Sequence, residues 1–276
     1  MYRCSRILAG LLVIAVSVAA QAQTSPEQAT AEMADVVAEA AAAPVIDDEA
    51  LEVFKAMSDH LAAAREFAFH TETSHDVVQR SGVKVEFGAS RRTLVSRPNK
   101  MRLESRRRDG VSGVVIFDGK NMWAYVPDEN VFASHEQQGD LDDAIDYAVA
   151  ELGIEAPLAD LVSPDLYESA TSKLTSALYL GETEVAGETC EHLLMSNDIA
   201  DFQLWITAGD KPLLRRIVIT YRDEPGEPQY RAQFSEWDLA PEDTANQLRF
   251  EPPAGAERVR FYMPAPPTDL DQEDKS

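Results

Sequence analysis

The feature that most constrains the fold is a two-residue alternation of side chains, which fills two long blocks of the chain. In the first block Phe67 and Phe69 alternate with Ala68 and His70, and similar runs continue to about residue 126. A second block covers residues 176–239. Successive side chains of a β-strand point to opposite faces of the sheet, so this period predicts strands with one buried face.

The turns between these runs favour antiparallel pairing. Ser81-Gly82 separates two alternating runs, and Asp118-Gly119 is the dipeptide that suits a tight hairpin turn with positive φ. Short connections of this kind join antiparallel neighbours, whereas parallel strands need long crossovers. We therefore expect a meander in each block.

A different period precedes the first block and separates the two. Leu51, Phe54, Met57 and Leu61 recur at spacings of three and four, which predicts an amphipathic helix beginning at Asp47 or Asp48. Between the blocks, Asp140 is a predicted N-cap for a helix ending at Gly153, and a second short helix is expected over residues 157–162.

This order predicts one domain of the mainly β (α+β) class. About 11 strands form a single curved antiparallel sheet, an incomplete β-barrel, and helices inserted midway form a helical cover over one open face. The domain is expected over residues 46–262, after an Ala- and Glu-rich linker at 23–45 and before an acidic tail at 263–276, both disordered.

Residues 1–22 have the three parts of a secretory signal peptide. Arg3 and Arg6 precede an apolar run from Ile7 to Ala20, and Ala20-Gln21-Ala22 is a small-x-small cleavage site. The alternative is a retained membrane anchor, but the run is shorter than the roughly 20 residues that span a bilayer. We predict export to the periplasm by a cleaved signal peptide, which leaves Cys190 as a single cysteine buried in a strand.

Charge and motifs exclude several functions. With 48 acidic and 25 basic residues the net charge is −23, which argues against nucleic-acid binding because phosphate neutralisation needs a basic surface. Cys190 and His192 share a strand face but lack further metal ligands nearby, and alternation separates His75 from His70 and Asp76. The sequence contains no G-x-S-x-G motif, no phosphate-binding glycine loop and no H-E-x-x-H motif, so we predict no enzymatic activity, no metal and no cofactor.

One segment is basic against this acidic background. Only Glu86 and Glu104 oppose its nine cations, which are Lys84, Arg91, Arg92, Arg97, Lys100, Arg102, Arg106, Arg107 and Arg108. One interpretation is a solvated sheet face whose cations protect an edge. The other is a surface basic patch for an anionic membrane surface or an acidic partner protein.

Several motifs resemble those of a known family. Its opening resembles Ile46-Asp47-Asp48-Glu49-Ala50-Leu51, and its most specific motifs resemble Gln203-Leu204-Trp205-Ile206 and Gly209-Asp210-Lys211-Pro212-Leu213. Further matches occur at Phe117-Asp118-Gly119-Lys120 and Trp237-Asp238-Leu239. The family is one of predicted bacterial periplasmic proteins without an established activity, and it is distantly similar to the LolA/LolB lipoprotein carriers. The resemblance covers roughly residues 46–260 and implies an incomplete antiparallel barrel, covered by helices, that encloses an apolar cavity for acyl chains.

The expected function follows from what fills the concave face of such a sheet. Side chains from the cover or a ligand must occupy it. The candidate cavity residues are Phe69, Leu103, Val115, Phe117, Trp123, Tyr125, Trp205, Ile217 and Ile219. A cavity predicts a non-enzymatic carrier of a lipid or lipoprotein acyl chain, whereas a filled core predicts an accessory protein that acts through its surface. The sequence leaves both open.

Overall fold

The computed structural model describes residues 45–151 and 156–260. The predicted signal peptide, nearly all of the predicted linker and the predicted tail lie outside these residues. The helices are α1 (Asp48–Ala62), α2 (Leu141–Ala150), a 3₁₀ turn (Ala159–Val162), α3 (Leu166–Thr171) and α4 (Thr244–Gln247). None of the helices in the described ranges is long and apolar enough to span a membrane.

The strands fall into the two predicted blocks. The first contains β1 (Glu66–Val78), β2 (Lys84–Ser96), β3 (Lys100–Arg107), β4 (Ser112–Phe117), β5 (Asn121–Val126) and β6 (Val131–Glu136). The second contains β7 (Ser176–Val185), β8 (Glu188–Ser196), β9 (Ala200–Thr207), β10 (Leu214–Tyr221) and β11 (Gln229–Asp238), followed by β12 (Glu257–Arg258).

These strands form one open, curved sheet in the order β12-β6-β5-β4-β3-β2-β1-β11-β10-β9-β8-β7. Each block is an antiparallel meander, and β1 joins them by pairing with β11. The predicted fold class is therefore confirmed, with one strand more than expected. That strand, β12, pairs parallel to β6 over two residues, and two residues are too few to show any period in the sequence.

The two faces of the sheet are defined here by β1. Its inner face carries Phe67, Phe69, Thr71, Thr73 and His75, and its outer face carries Ala68, His70, Glu72, Ser74 and Asp76. The register extends the inner face across β2, because Phe67 pairs with Val95 and His75 pairs with Phe87. The predicted separation of His75 from His70 and Asp76 is thus confirmed.

Helix α1 covers the inner face, as its apolar stripe predicts. Phe54, Met57 and Leu61 are each at most 3% exposed within the main core. The Asp47 carboxylate accepts a hydrogen bond from the Glu49 amide, and the Asp47 amide donates to the Ala177 carbonyl of β7. These bonds fix the start of the helix against the edge strand.

Helix α2 begins at the predicted cap. Asp140 accepts from the Asp143 amide at 3.0 Å, and Asp143 accepts from the Asp140 amide at 3.1 Å, which is a reciprocal capping box. Its apolar side packs into the core through Leu141 and Ala144. The predicted end at Gly153 lies outside the described residues.

The C-terminal segment crosses the outer face. Leu248 forms a small cluster with Ala68 and Leu94, and the Phe250 ring lies 5.1 Å from the Trp123 ring. The sequence predicted neither this crossing nor α4, because a helix of four residues and a segment without regular secondary structure show no periodic pattern of side chains.

Candidate functional site

The helices leave two cavities above the inner face. The first, called the α2 cavity, has a volume of about 150 Å³ and lies between α2, the chain around the 3₁₀ turn and strands β1–β5. Most of its lining is apolar. Its walls are Phe69, Met101, Leu103, Val115, Phe117, Met122, Ala144, Ile145, Ala148, Ala156, Pro157, Leu158, Ala159 and Val162, with Thr71, Arg91, Thr93 and Tyr230 as polar members.

The second, called the α3 cavity, has a volume of about 210 Å³ and lies between α1, α3 and strands β8–β10. Phe54 and Met57 of α1 face Phe202, Ile217 and Ile219 of the sheet across it. The two cavities share Pro157 and Leu158 as walls.

A third space, called the hairpin groove, lies where the paired strands β1 and β2 extend past their neighbours. Its volume is about 540 Å³, and its inner-face lining includes His75, Val77, Phe87 and Arg107. Val77 is 38% exposed and Phe87 is 47% exposed, so apolar surface continues here into solvent. Arg91 lines both this groove and the α2 cavity, and therefore stands where they meet.

Six of the nine sequence-selected cavity residues lie on the inner face. Phe69, Leu103, Val115 and Phe117 line the α2 cavity, and Ile217 and Ile219 line the α3 cavity. Sequence reasoning did not select Met101, Met122, Ala144, Ala148 and Tyr230, which also line the α2 cavity. The methionines and Tyr230 share the inner-face register of Phe69, whereas small helical alanines carry no signal that distinguishes a cavity wall from an ordinary packing position.

The other three selected residues lie on the outer face, which corrects the expectation that they face the cavity. Trp123 pairs with Ile116, and Tyr125 pairs with Val114, one position out of step with the cavity residues Val115 and Phe117. Both rings pack against Phe250 of the C-terminal segment. The C-terminal segment partly covers these outer-face aromatic residues, so their sequence pattern resembles that of residues in the inner core.

Trp205 is displaced in the same way. It pairs with His192 and Arg216, whereas the cavity residue Leu204 pairs with Ile217. The Trp205 ring stacks on the His192 ring at 4.3 Å, and the Arg216 guanidinium lies 5.5 Å from the Trp205 ring centre. His192 and Arg216 thus partly cover the Trp205 ring on the outer face.

The predicted basic patch is divided between the faces of the sheet. Arg91 and Arg107 are on the inner face, because Arg91 pairs with Thr71 and Arg107 with Ala89. The outer face carries Arg92, Arg102, Arg106 and Arg108, and Lys100 is an exposed residue at the start of β3. These seven cations therefore do not form one continuous surface.

Arg97 does not belong to a surface at all, which corrects its inclusion in the patch. It is 9% exposed and donates to the carbonyls of Leu61, Ala64 and Val162 at 2.8 Å each. Its guanidinium also lies 4.8 Å from the Phe67 ring centre. Burial lowers the pKa of Arg97 from its ordinary value, yet a guanidinium remains charged at any physiological pH.

Cys190 and His192 lie two residues apart on strand β8. Cys190 is a free, fully buried cysteine, as predicted, and burial raises the pKa of its thiol. His192 is on the same face, and burial lowers the pKa of its imidazole. Within residues 45–151 and 156–260, no group of three His, Cys, Asp or Glu side chains is placed to hold a metal ion.

The polar wall of the α2 cavity is a small hydrogen-bonded group. Arg91 donates through Nη1 to the Thr73 hydroxyl, and Thr73 donates to the Ala89 carbonyl at 2.9 Å. Burial raises the pKa of the Tyr230 hydroxyl, and this outweighs the opposing effects of the nearby Arg91 charge and of a hydrogen bond with Thr73. Tyr230 therefore stays protonated and can donate a hydrogen bond.

Comparison with solved structures finds matches at low sequence identity. LprF from Mycobacterium bovis matches with a TM-score of 0.46 and 13% identity over 72% of this chain and 96% of that chain. Lipoprotein LppX from Mycobacterium tuberculosis matches with a TM-score of 0.44 and 13% identity over 72% and 99%. A LolA superfamily protein from Nitrosomonas europaea matches with a TM-score of 0.33 and 9% identity over 70% of this chain and 94% of that chain.

No curated protein sequence matches the chain. A family described as predicted periplasmic protein (DUF2092) matches it over residues 50–262, which is most of its length. This match confirms both the family indicated by the sequence motifs and the periplasmic location. The chain belongs to the DUF2092 family of periplasmic proteins.

Proposed function

We propose that this protein is a non-enzymatic carrier that holds an apolar chain between the inner face of its sheet and the helical cover. The observation that carries the proposal is the α2 cavity, an apolar space of about 150 Å³ between the inner face and α2. Protein interiors are normally packed without voids of this size, and an apolar cavity of similar volume accepts a benzene-sized guest.

The lining supports an adaptable site. Met101 and Met122 are flexible and polarisable side chains that can follow the shape of a guest, and Ala144 and Ala148 leave room above them. The α3 cavity lies beyond Pro157 and Leu158, so a longer chain could extend from one cavity to the other.

A substitution that fills the α2 cavity tests the proposal. Ala148→Phe places a benzene-sized ring into the cavity from α2, and we expect binding of decanol, measured by titration calorimetry, to weaken about tenfold or more. The reason is that displacing two buried methylene groups costs about 1.6 kcal/mol. Ala150→Phe is the matched control, because Ala150 is exposed on the same helix.

Equal weakening by both variants, or no decanol binding by the wild type, would contradict the proposal. Ala170→Phe fills the α3 cavity, so weaker decanol binding by this variant would show that the bound alkyl chain reaches that cavity. Native mass spectrometry of protein purified from its own periplasm provides an independent measurement, since a carrier should retain lipid through mild purification.

The small size of the cavities favours a second candidate function. Each is below the roughly 300 Å³ at which pockets for small molecules usually begin. A periplasmic accessory protein, acting through its surface with its core essentially filled, would have such cavities and no ligand. Absence of both co-purified lipid and decanol binding would support this function.

A further inference from the structure

The side chain of Arg91 is placed unusually for a cation. It projects from the inner face of β2, between Ala89 and Thr93, where the α2 cavity meets the hairpin groove. Its neighbours on β1 are Thr71 and Thr73, at most 2% exposed. A guanidinium at such a position loses part of its hydration, which costs free energy unless an anion or several acceptors replace the lost water.

The protein itself supplies little of that replacement. In the described part of the chain, no carboxylate lies within ion-pair distance of Arg91, and the Thr73 hydroxyl is its hydrogen-bond acceptor. Two nearby cations do have carboxylate partners, since Arg107 pairs with Asp109 and Arg108 pairs with Glu86. In a chain with 48 acidic and 25 basic residues, a half-buried cation without a carboxylate partner indicates a place for an anion from outside.

The surroundings of Arg91 divide into polar and apolar parts. Thr73 and Tyr230 place hydroxyl groups beside the guanidinium, and five N–H donors of arginine exceed what one threonine can accept. Apolar side chains continue on both sides, with Leu103 and Val115 in the cavity and Phe87 in the groove. This is the layout that an amphiphile with one charged end requires.

We propose that Arg91, held in place by its hydrogen bond to the Thr73 hydroxyl, binds together with Tyr230 the anionic head of a single-chain amphiphile whose alkyl chain enters the α2 cavity. The inference rests on the proposed function and specifies its ligand class. Carboxylate and phosphate heads share the required chemistry, since both accept two parallel N–H bonds from a guanidinium. The chain then passes from the head group toward Phe69 and Phe117.

The test compares three ten-carbon probes on the full-length mature protein by titration calorimetry. Decanoate and decyl phosphate carry the two candidate heads, and decanol has the same chain without a charge. We expect at least one anion to bind wild type about ten- to a hundredfold more tightly than decanol, the range expected for hydrogen bonds to a charged group. The tighter anion identifies the head group.

The variant Arg91→Gln should abolish this preference while leaving decanol binding unchanged. Its matched control is Arg106→Gln on the neighbouring strand β3, where the side chain is exposed on the outer face, and this control should retain the preference. Thermal unfolding of both variants by circular dichroism checks that they fold.

The outcomes separate the two proposals. Equal affinity of wild type for decanol and both anions overturns the head-group assignment and leaves the carrier proposal standing. A preference that survives Arg91→Gln also overturns the assignment. Failure of all three probes to bind overturns both proposals. Should Arg91→Gln unfold, Arg91→Lys replaces it, and a reduced but measurable preference is then the supporting result, because lysine keeps the charge without the bidentate geometry.

Discussion

Two cations of similar sequence context have opposite environments in this protein. Arg97 is surrounded by carbonyl groups from the end of α1 and from the 3₁₀ turn, and its charge is satisfied by at least three short hydrogen bonds. Arg91, six residues earlier, has one hydroxyl acceptor. The two environments follow from the positions of the residues. Arg91 lies within β2 and projects from its inner face, whereas Arg97 directly follows the last residue of β2. The contrast explains why Arg97 is a structural group and Arg91 is a candidate for ligand contact.

At the same scale, Asp76 should make acid stability depend on one ion pair. Its side chain is 6% exposed, accepts two hydrogen bonds from Arg231 at 2.9 and 3.2 Å, and accepts a third from the Gln229 amide at 3.0 Å. The hydrogen bonds from Arg231, with the Gln229 bond and the arginine charge in support, hold the pKa of Asp76 below its ordinary value of 3.8. A lowered pKa stabilises the folded state above the unfolded pKa, and this contribution is lost as the pH falls through the folded pKa.

We therefore expect Asp76→Asn to lower the free energy of unfolding by about 1–3 kcal/mol at pH 7, measured by urea denaturation. The difference from wild type should shrink as the pH falls below about 4, because Asp76 of the unfolded chain is protonated there before Asp76 of the folded protein. Asp146→Asn is the control, because Asp146 is exposed on α2. If the difference in free energy of unfolding between Asp76→Asn and wild type stays constant down to the pH of acid unfolding, the loss comes from altered packing and not from the lost charge.

At the scale of elements, the capping box stabilises the first turn of α2, the helix that lines the α2 cavity. Asp140→Ala removes the acceptor for the Asp143 amide, and N-cap losses of this kind cost about 1 kcal/mol. We expect that decrease in the free energy of unfolding, with faster amide hydrogen exchange confined to the first turn of α2. Asp140→Ser should restore most of the stability, since serine is also a good N-cap. Equal loss in both variants would contradict the capping explanation.

At the scale of the whole molecule, the charge distribution argues against docking on anionic membranes. The net charge is −23, and the basic residues of β2 and β3 are divided between two faces. We expect no co-sedimentation with phosphatidylglycerol vesicles at physiological salt, where screening limits local attraction to about 8 Å. Binding at low salt that the double variant Arg106→Glu/Arg108→Glu abolishes would contradict this expectation and restore the outer-face cations as a membrane patch.

The sequence by itself determined the class of fold, because period two and period three-to-four are direct consequences of strand and helix geometry. It placed the start of α1 at Asp47 or Asp48, the cap of α2 at Asp140, the turn at Asp118-Gly119 and a block of strands on each side of the helical insertion. It also selected the inner-face residues Phe69 and Phe117, whose pattern agrees with burial on one side. Family and compartment followed from motifs that need no three-dimensional information.

Only the tertiary structure decided which face of each strand points inward and what lies against it. Trp123 and Trp205 have the character of core residues, but the register turns them outward, and Phe250 or His192 covers them. Arg91 and Arg97 are equally basic in the sequence, yet one opens onto a cavity and the other is enclosed by carbonyls from α1 and the 3₁₀ turn. The physical reason is that alternation specifies two faces without naming them, and the inner face is chosen by contacts between residues far apart in the chain.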